Sequence, residues 1–102
     1  MNLTRVLAED RRLVVLRTLS EVSGYALNED VLRQALVAIG HPEAARDFVR
    51  QDIEFLAEHG LVRKETMHLP SGELWVVHLM ESGQEVAKGR MHVGVARLTP
   101  GA

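Results

Sequence analysis

The chain has 102 residues, of which 12 are Lys or Arg and 14 Asp or Glu, for a formal net charge of −2, and it has no cysteine. That length supports one domain with one modest core. The missing cysteines exclude a disulfide framework and any thiolate metal site, and the slightly acidic balance stands against a dedicated nucleic-acid binder, which carries a basic excess or a basic face. Apolar residues at 46% and charged residues at 25% are ordinary for a globular protein. No apolar run approaches the roughly 20 residues of a membrane span. Met1-Asn2-Leu3-Thr4-Arg5 lacks the layout of a secretory signal. The expectation is a single cytoplasmic domain over 1–102 that does not enter a membrane.

The first helix is expected from about Thr4 to Ser20, within a segment 1–20. At about 100° per residue, Val6, Leu13, Leu16 and Leu19 cluster on one side, and Leu3, Leu7 and Val14 fall roughly opposite. A surface helix needs one apolar stripe. The second stripe leaves two readings open: a helix clamped between elements of its own domain, or a dimer seam through Leu3, Leu7 and Val14.

Ser23-Gly24-Tyr25 breaks this helix, and Tyr25-Ala26-Leu27 reads as a short strand. Asn28 caps a second helix, with Glu29 and Asp30 in its first turn, where acids complement the helix dipole. Val31, Leu32, Ala35, Leu36 and Ile39 form its apolar pattern, and Gly40 ends it. Pro42 suits the first position of a third helix. So short a connection implies a steep helix-turn-helix crossing. Ala45, Val49, Ile53 and Leu56 make the inner stripe of the third helix, flanked by Phe48 and Phe55, and Gly60 releases the chain. A hairpin follows, Leu61 to Leu69 and Glu73 to Met80, turning at Pro70-Ser71-Gly72. A last short helix runs from Glu81 to about Gly89 with Val86 and Ala87 inward, and 90–102 is an extended tail containing Pro100 and Gly101.

Helix, short strand, helix, helix, hairpin, helix is the order of an α+β winged helix-turn-helix. Arg46 to Val62, leaving through Leu56-x-x-x-Gly60-Leu61-Val62, resembles the recognition helix and exit of small ArsR/MarR-like regulators. More narrowly, Gly24-Tyr25-Ala26-Leu27-Asn28, the run Arg46 to Asp52, and Leu79-x-x-x-Gly83 with Gly89-Arg90 resemble a family of about this length encoded in Mu-like phages and prophages. The resemblance spans about Arg11 to Arg97. It implies a DNA-binding transcription regulator of phage type acting on double-stranded DNA; on the dimer-seam reading, the Leu3, Leu7, Val14 stripe and the C-terminal helix would hold it as a homodimer.

On that implication the candidate DNA contacts are Arg46, Arg50 and Gln51 in the major groove, and Arg63, Lys64 and His68 on the backbone. The charges object. From Pro42 to Gly60 there are two basic residues, Arg46 and Arg50, and five acidic ones, Glu43, Asp47, Asp52, Glu54 and Glu58, which gives 2 − 5 = −3. Phosphate contact needs the opposite sign. Arg46 and Arg50 have Glu43, Asp47 and Glu54 within pairing distance on the same helix. Arg63 and Lys64, as neighbours on a strand, point to opposite faces. Arg11, Arg12 and Arg17 offer basic surface elsewhere.

The five histidines lie on separate elements without metal-ligand spacing, there is no glycine-rich phosphate loop, and the serines sit at helix ends and turns. The expectation is therefore no enzyme, no metal and no cofactor. The alternative to DNA binding is a winged helix kept as a protein-interaction module. It would bind a phage or host protein through the acidic helix face or through Trp75, although a core role for Trp75 is the more economical reading.

Overall fold

The computed structural model describes residues 2–98. Within them the chain is α+β: four helices and one three-stranded antiparallel sheet of order β1-β3-β2. Pro100 and Gly101 of the expected tail lie outside the described residues.

Helix α1 spans Leu3–Glu21, capped by the Asn2 side chain, which accepts from the Arg5 N–H at 3.2 Å. Leu13, Val15, Leu16 and Leu19 are buried on one side. Val6, grouped with them by periodicity, is exposed, as are its neighbours Thr4 and Arg5. Gly24, at φ +80°, and Tyr25, at φ +55°, then reverse the chain into strand β1, Ala26–Asn28. Asn28 closes β1 and also caps helix α2, Glu29–Ile39, its Oδ1 accepting from the Val31 N–H at 3.0 Å. Of the expected inner stripe of α2, Leu32 and Leu36 are buried but Val31 and Ile39 are exposed, Ile39 at 61%. Ile39 borders an open groove beside α1 and is not covered by it.

Helix α3 is Arg46–Glu58 and does not start at Pro42. Residues 40–45 form an ordered bridge instead of a tight turn. The His41 N–H reaches back to the Leu36 carbonyl at 2.8 Å, and the Ala44 N–H bonds the His41 carbonyl at 3.0 Å. The His41 ring is buried and its carboxylate partners hold the segment out of helical geometry, so Ala44 enters the core and Ala45 is exposed. Along α3, Val49, Ile53 and Leu56 are buried as expected.

After Gly60, at φ +72°, the Leu61 N–H closes on the Leu56 carbonyl at 2.9 Å. Strands β2, Val62–Leu69, and β3, Gly72–Leu79, form the hairpin about Pro70-Ser71. In register, Thr66 faces Trp75, Lys64 faces Val77 and Arg63 faces His78, while β1 pairs Leu27 with Val77. Trp75 and Val77 thus point to the core and Arg63 to the outer face. Helix α4, Glu81–Ala87, packs on α1. Gly83 is required there, since a Cβ would run into the Leu61 carbonyl oxygen.

The described tail is tied down. The Ala96 N–H bonds the Glu9 carbonyl at 3.0 Å, Arg12 donates to the Gly94 carbonyl at 2.9 Å, and Val95 is buried. The centre of the core is Leu16, Leu19, Leu32, Ile53 and Leu56, each with no accessible surface. Side chains of this size stabilise by about 1.5–3 kcal/mol each when fully buried.

Candidate nucleic-acid interface

The inner stripe of α3 leaves Asp47, Gln51, Glu54 and Glu58 outward, all exposed and spaced by four, three and four along one line. Among the described residues neither Asp47, Glu54 nor Glu58 takes part in an ion pair. The surface that would enter a groove is therefore a row of free carboxylates around one amide.

The two α3 arginines do not offset it. Arg50 donates from Nε and Nη2 to the two carboxylate oxygens of Glu29, at 2.7 and 2.8 Å, and from Nη2 to the Glu73 carbonyl at 3.2 Å. Its guanidinium carbon lies 4.3 Å from the Trp75 ring centroid. The Trp75 N–H donates to the same Glu29 carboxylate at 2.7 Å. Arg46, half-exposed, adds longer ion pairs to Glu29 at 3.4 Å and to Asp30 at 3.6 Å. These partners lie on α2, not at the same-helix positions of Glu43, Asp47 and Glu54. Burial alone would push the Glu29 carboxyl up, but the Arg50 bonds, the Trp75 N–H and the Arg46 charge outweigh it and hold the group below its usual range. The Glu29 bond in turn raises the Arg50 guanidinium.

A cleft of about 370 Å³ opens beside this cluster between Asp30, Arg46, Arg50, Ser71 and Glu73. Two carboxylates and two already paired guanidiniums give it no net positive field for a phosphate.

The hairpin offers little more. Arg63 is exposed on the outer face of the sheet and His68 near the turn, while Lys64 points to the other face, its Nζ 3.8 Å from the Trp75 centroid. Trp75 is 8% exposed and is a core residue. The basic surface expected from α1 is also reduced. Arg11 is buried, donating from Nε to Asp52 at 2.7 Å and from Nη1 to Glu43 at 3.1 Å. Arg12 reaches Asp52 at 3.2 Å and stacks over Phe55 at 4.0 Å. Of the three only Arg17 is exposed. Burial pushes the Asp52 carboxyl up against the pull of both arginines.

His41 extends this second network. Nε2 lies 2.6 Å from Asp10 and Nδ1 2.8 Å from Glu43. A carboxylate oxygen thus lies against each ring nitrogen, tying α1 to the segment before α3. Leu3, Leu7 and Val14 lie together on the outer side of α1, Leu3 at 62% exposure and the other two partly covered.

No family model and no solved structure matches the chain. The protein named "Uncharacterized protein gp26" of Escherichia phage Mu is 45% identical over 98 residues, covering 95% of this chain and 96% of the relative. The chain belongs to the phage Mu gp26 family. A Haemophilus influenzae protein, named "Uncharacterized protein", is 40% identical over 67 residues, 66% of this chain and 64% of that one. The gp26 family is thus a phage protein family. No helix of this member, among the described residues, is long and apolar enough to cross a membrane.

Sequence reasoning missed three organising residues of this gp26-family chain: Glu29, His41 and Asp52. For Asp52 the signal was present, because it sits on the Val49, Ile53, Leu56 stripe, and a carboxylate at a core position demands a cation. For Glu29 and His41 there was none, since their partners are distant in sequence.

Proposed function

We propose that this chain is a winged-helix domain of a Mu-like phage that docks a protein, phage or host, through the outer face of α3, and does not read DNA with it. The element order, the antiparallel hairpin behind α3 and the resemblance to ArsR/MarR-like regulators support the winged-helix reading. The observation that carries the protein-docking part is the bidentate Arg50–Glu29 pair. It leaves Asp47, Gln51, Glu54 and Glu58 as the presented groups, which repel phosphate and favour a cationic protein surface.

The second reading is the phage-type DNA-binding regulator. The exposure of Arg63 and His68 on the hairpin favours it. A benzoylphenylalanine placed at Gln51 and activated by light in cells carrying the intact phage separates the two. The expected product is a protein adduct at that position and none from a probe at Ser23. A DNA adduct at Gln51 contradicts the protein reading.

A further inference from the structure

The outer side of α1 carries more than an apolar stripe. Leu3, Leu7, Asp10, Val14, Arg17 and Glu21 recur at alternating intervals of four and three, the spacing of a helix–helix seam. They lie opposite the face that buries Leu13, Leu16 and Leu19. The two ends of this line differ. The N-terminal half ends in the apolar knobs Leu3 and Leu7. The C-terminal half borders a groove of about 200 Å³ lined by Val14, Arg17, Thr18, Glu21 and Ile39. Ile39, 61% exposed at the end of α2, forms its far wall. One chain thus presents a knob at one end of α1 and a matching depression at the other. Asp10 and Arg17 stand between them with opposite charge. The Asp10 carboxylate uses Oδ2 for His41 and is half-exposed, leaving Oδ1 free, and Arg17 has no ion pair among the described residues.

From this arrangement we infer that α1 pairs antiparallel with α1 of a second copy about a two-fold axis passing between Asp10 and Val14. Reversal about that axis sets Leu7 level with Arg17 of the second copy and Leu3 level with its Glu21. Leu7 then enters the Val14–Thr18–Ile39 groove, and its own groove receives Leu7 of the other chain. Asp10 comes one turn from Arg17 of the second copy, within reach of a long guanidinium. Each contact occurs twice, as an isologous interface requires. A parallel pairing would place Asp10 beside Asp10 and Arg17 beside Arg17. The inference is independent of whether α3 meets protein or DNA.

The absence of cysteine from the chain allows a direct test. Within one chain, positions 7 and 17 are ten residues apart on a helix, about 15 Å, too far for an internal disulfide, which needs Cβ atoms about 3.5–4.5 Å apart. Leu7→Cys combined with Arg17→Cys should therefore form a covalent dimer on mild oxidation, and each single variant should not. Met67→Cys, on the exposed outer face of the sheet, serves as the control surface. Light-scattering mass of the unmodified chain at high micromolar concentration should be twice the monomer's, and Leu7→Glu, at a half-exposed position, should return it to one with unchanged circular dichroism. A monomeric unmodified chain, a Leu7→Glu dimer, or cross-linking through Met67→Cys in place of the 7–17 pair each overturns the inference.

Discussion

Arg50 on α3 and Glu29 on α2 form a bidentate ion pair at 2.7 and 2.8 Å, and the Glu29 side chain is 1% exposed. The pair locks the start of α2 to the middle of α3, and through the Trp75 N–H it also locks both to the central strand. It holds the helices at their crossing angle, and it removes from the surface the one α3 cation best placed for a base edge.

Removing either partner is expected to be costly. Glu29→Ala leaves the Trp75 N–H without its carboxylate acceptor and the Arg50 guanidinium with only the Glu73 carbonyl, and Arg50→Ala leaves a buried carboxylate with the Trp75 N–H and the longer Arg46 contact. Breaking a buried pair from one side costs about 3–5 kcal/mol. Urea unfolding should show a lowered midpoint at unchanged slope for both. A loss below about 1 kcal/mol would mean the pair behaves as a surface bridge.

The same pair sets a pH dependence. Glu29 is held below its ordinary value of 4.5 in the fold. Its contribution is therefore complete above that value and is lost as pH falls through the lowered one. Asp52, raised by burial, acts in the opposite sense: its contribution is present below its ordinary value and lost as pH rises through the raised one. Stability measured between neutral pH and acid should therefore fall less steeply for Glu29→Gln than for the parent chain. An identical slope contradicts the role given to Glu29.

Gly83→Ala should destabilise by about 1–3 kcal/mol, the range for forced overpacking. Its Cβ meets backbone, the Leu61 carbonyl, which has no rotamer to give. Thermal unfolding against Gly40→Ala, where a Cβ meets open space but φ is +122°, separates packing from backbone strain.

Much of this fold was legible in the chain because periodicity reports on one face at a time. The Val49–Ile53–Leu56 stripe and the hairpin about Pro70-Ser71 needed only local pattern. The start of α3 was not legible. Pro42 carries a helix-start signal, but His41 and Glu43 bind Asp10 and Arg11, more than thirty residues earlier, and that long-range network overrides it. The candidate site failed for the same reason. Arg46 and Arg50 have acids three and four positions away, yet their partner is Glu29 across the helix pair, whose buried carboxylate has more to gain from them than any exposed one. Ile39 was misplaced because α2 has apolar residues on more than one side, and only tertiary packing selects which are covered.

If the acidic row on α3 is what repels nucleic acid, reversing it should create affinity. Lysine in place of Asp47, Glu54 and Glu58 changes the 42–60 segment from −3 to +3, since each of three reversals adds two charges. All three positions are exposed, so the fold should persist. The triple variant is expected to bind mixed-sequence duplex DNA with a steep salt dependence. A variant that folds and still fails to bind would show that shape, and not charge, excludes DNA.

The central claim is that α3 presents carboxylates and not cations to its partner. It is tested most directly by fluorescence anisotropy of the unmodified chain with a mixed-sequence duplex at low salt, where phosphate contacts are strongest. Nonspecific binders reach dissociation constants of about 10⁻⁴ to 10⁻⁶ M even at physiological salt. The account predicts no saturable binding at that level. Micromolar binding that weakens steeply with added salt and is lost in Arg46→Ala would contradict it.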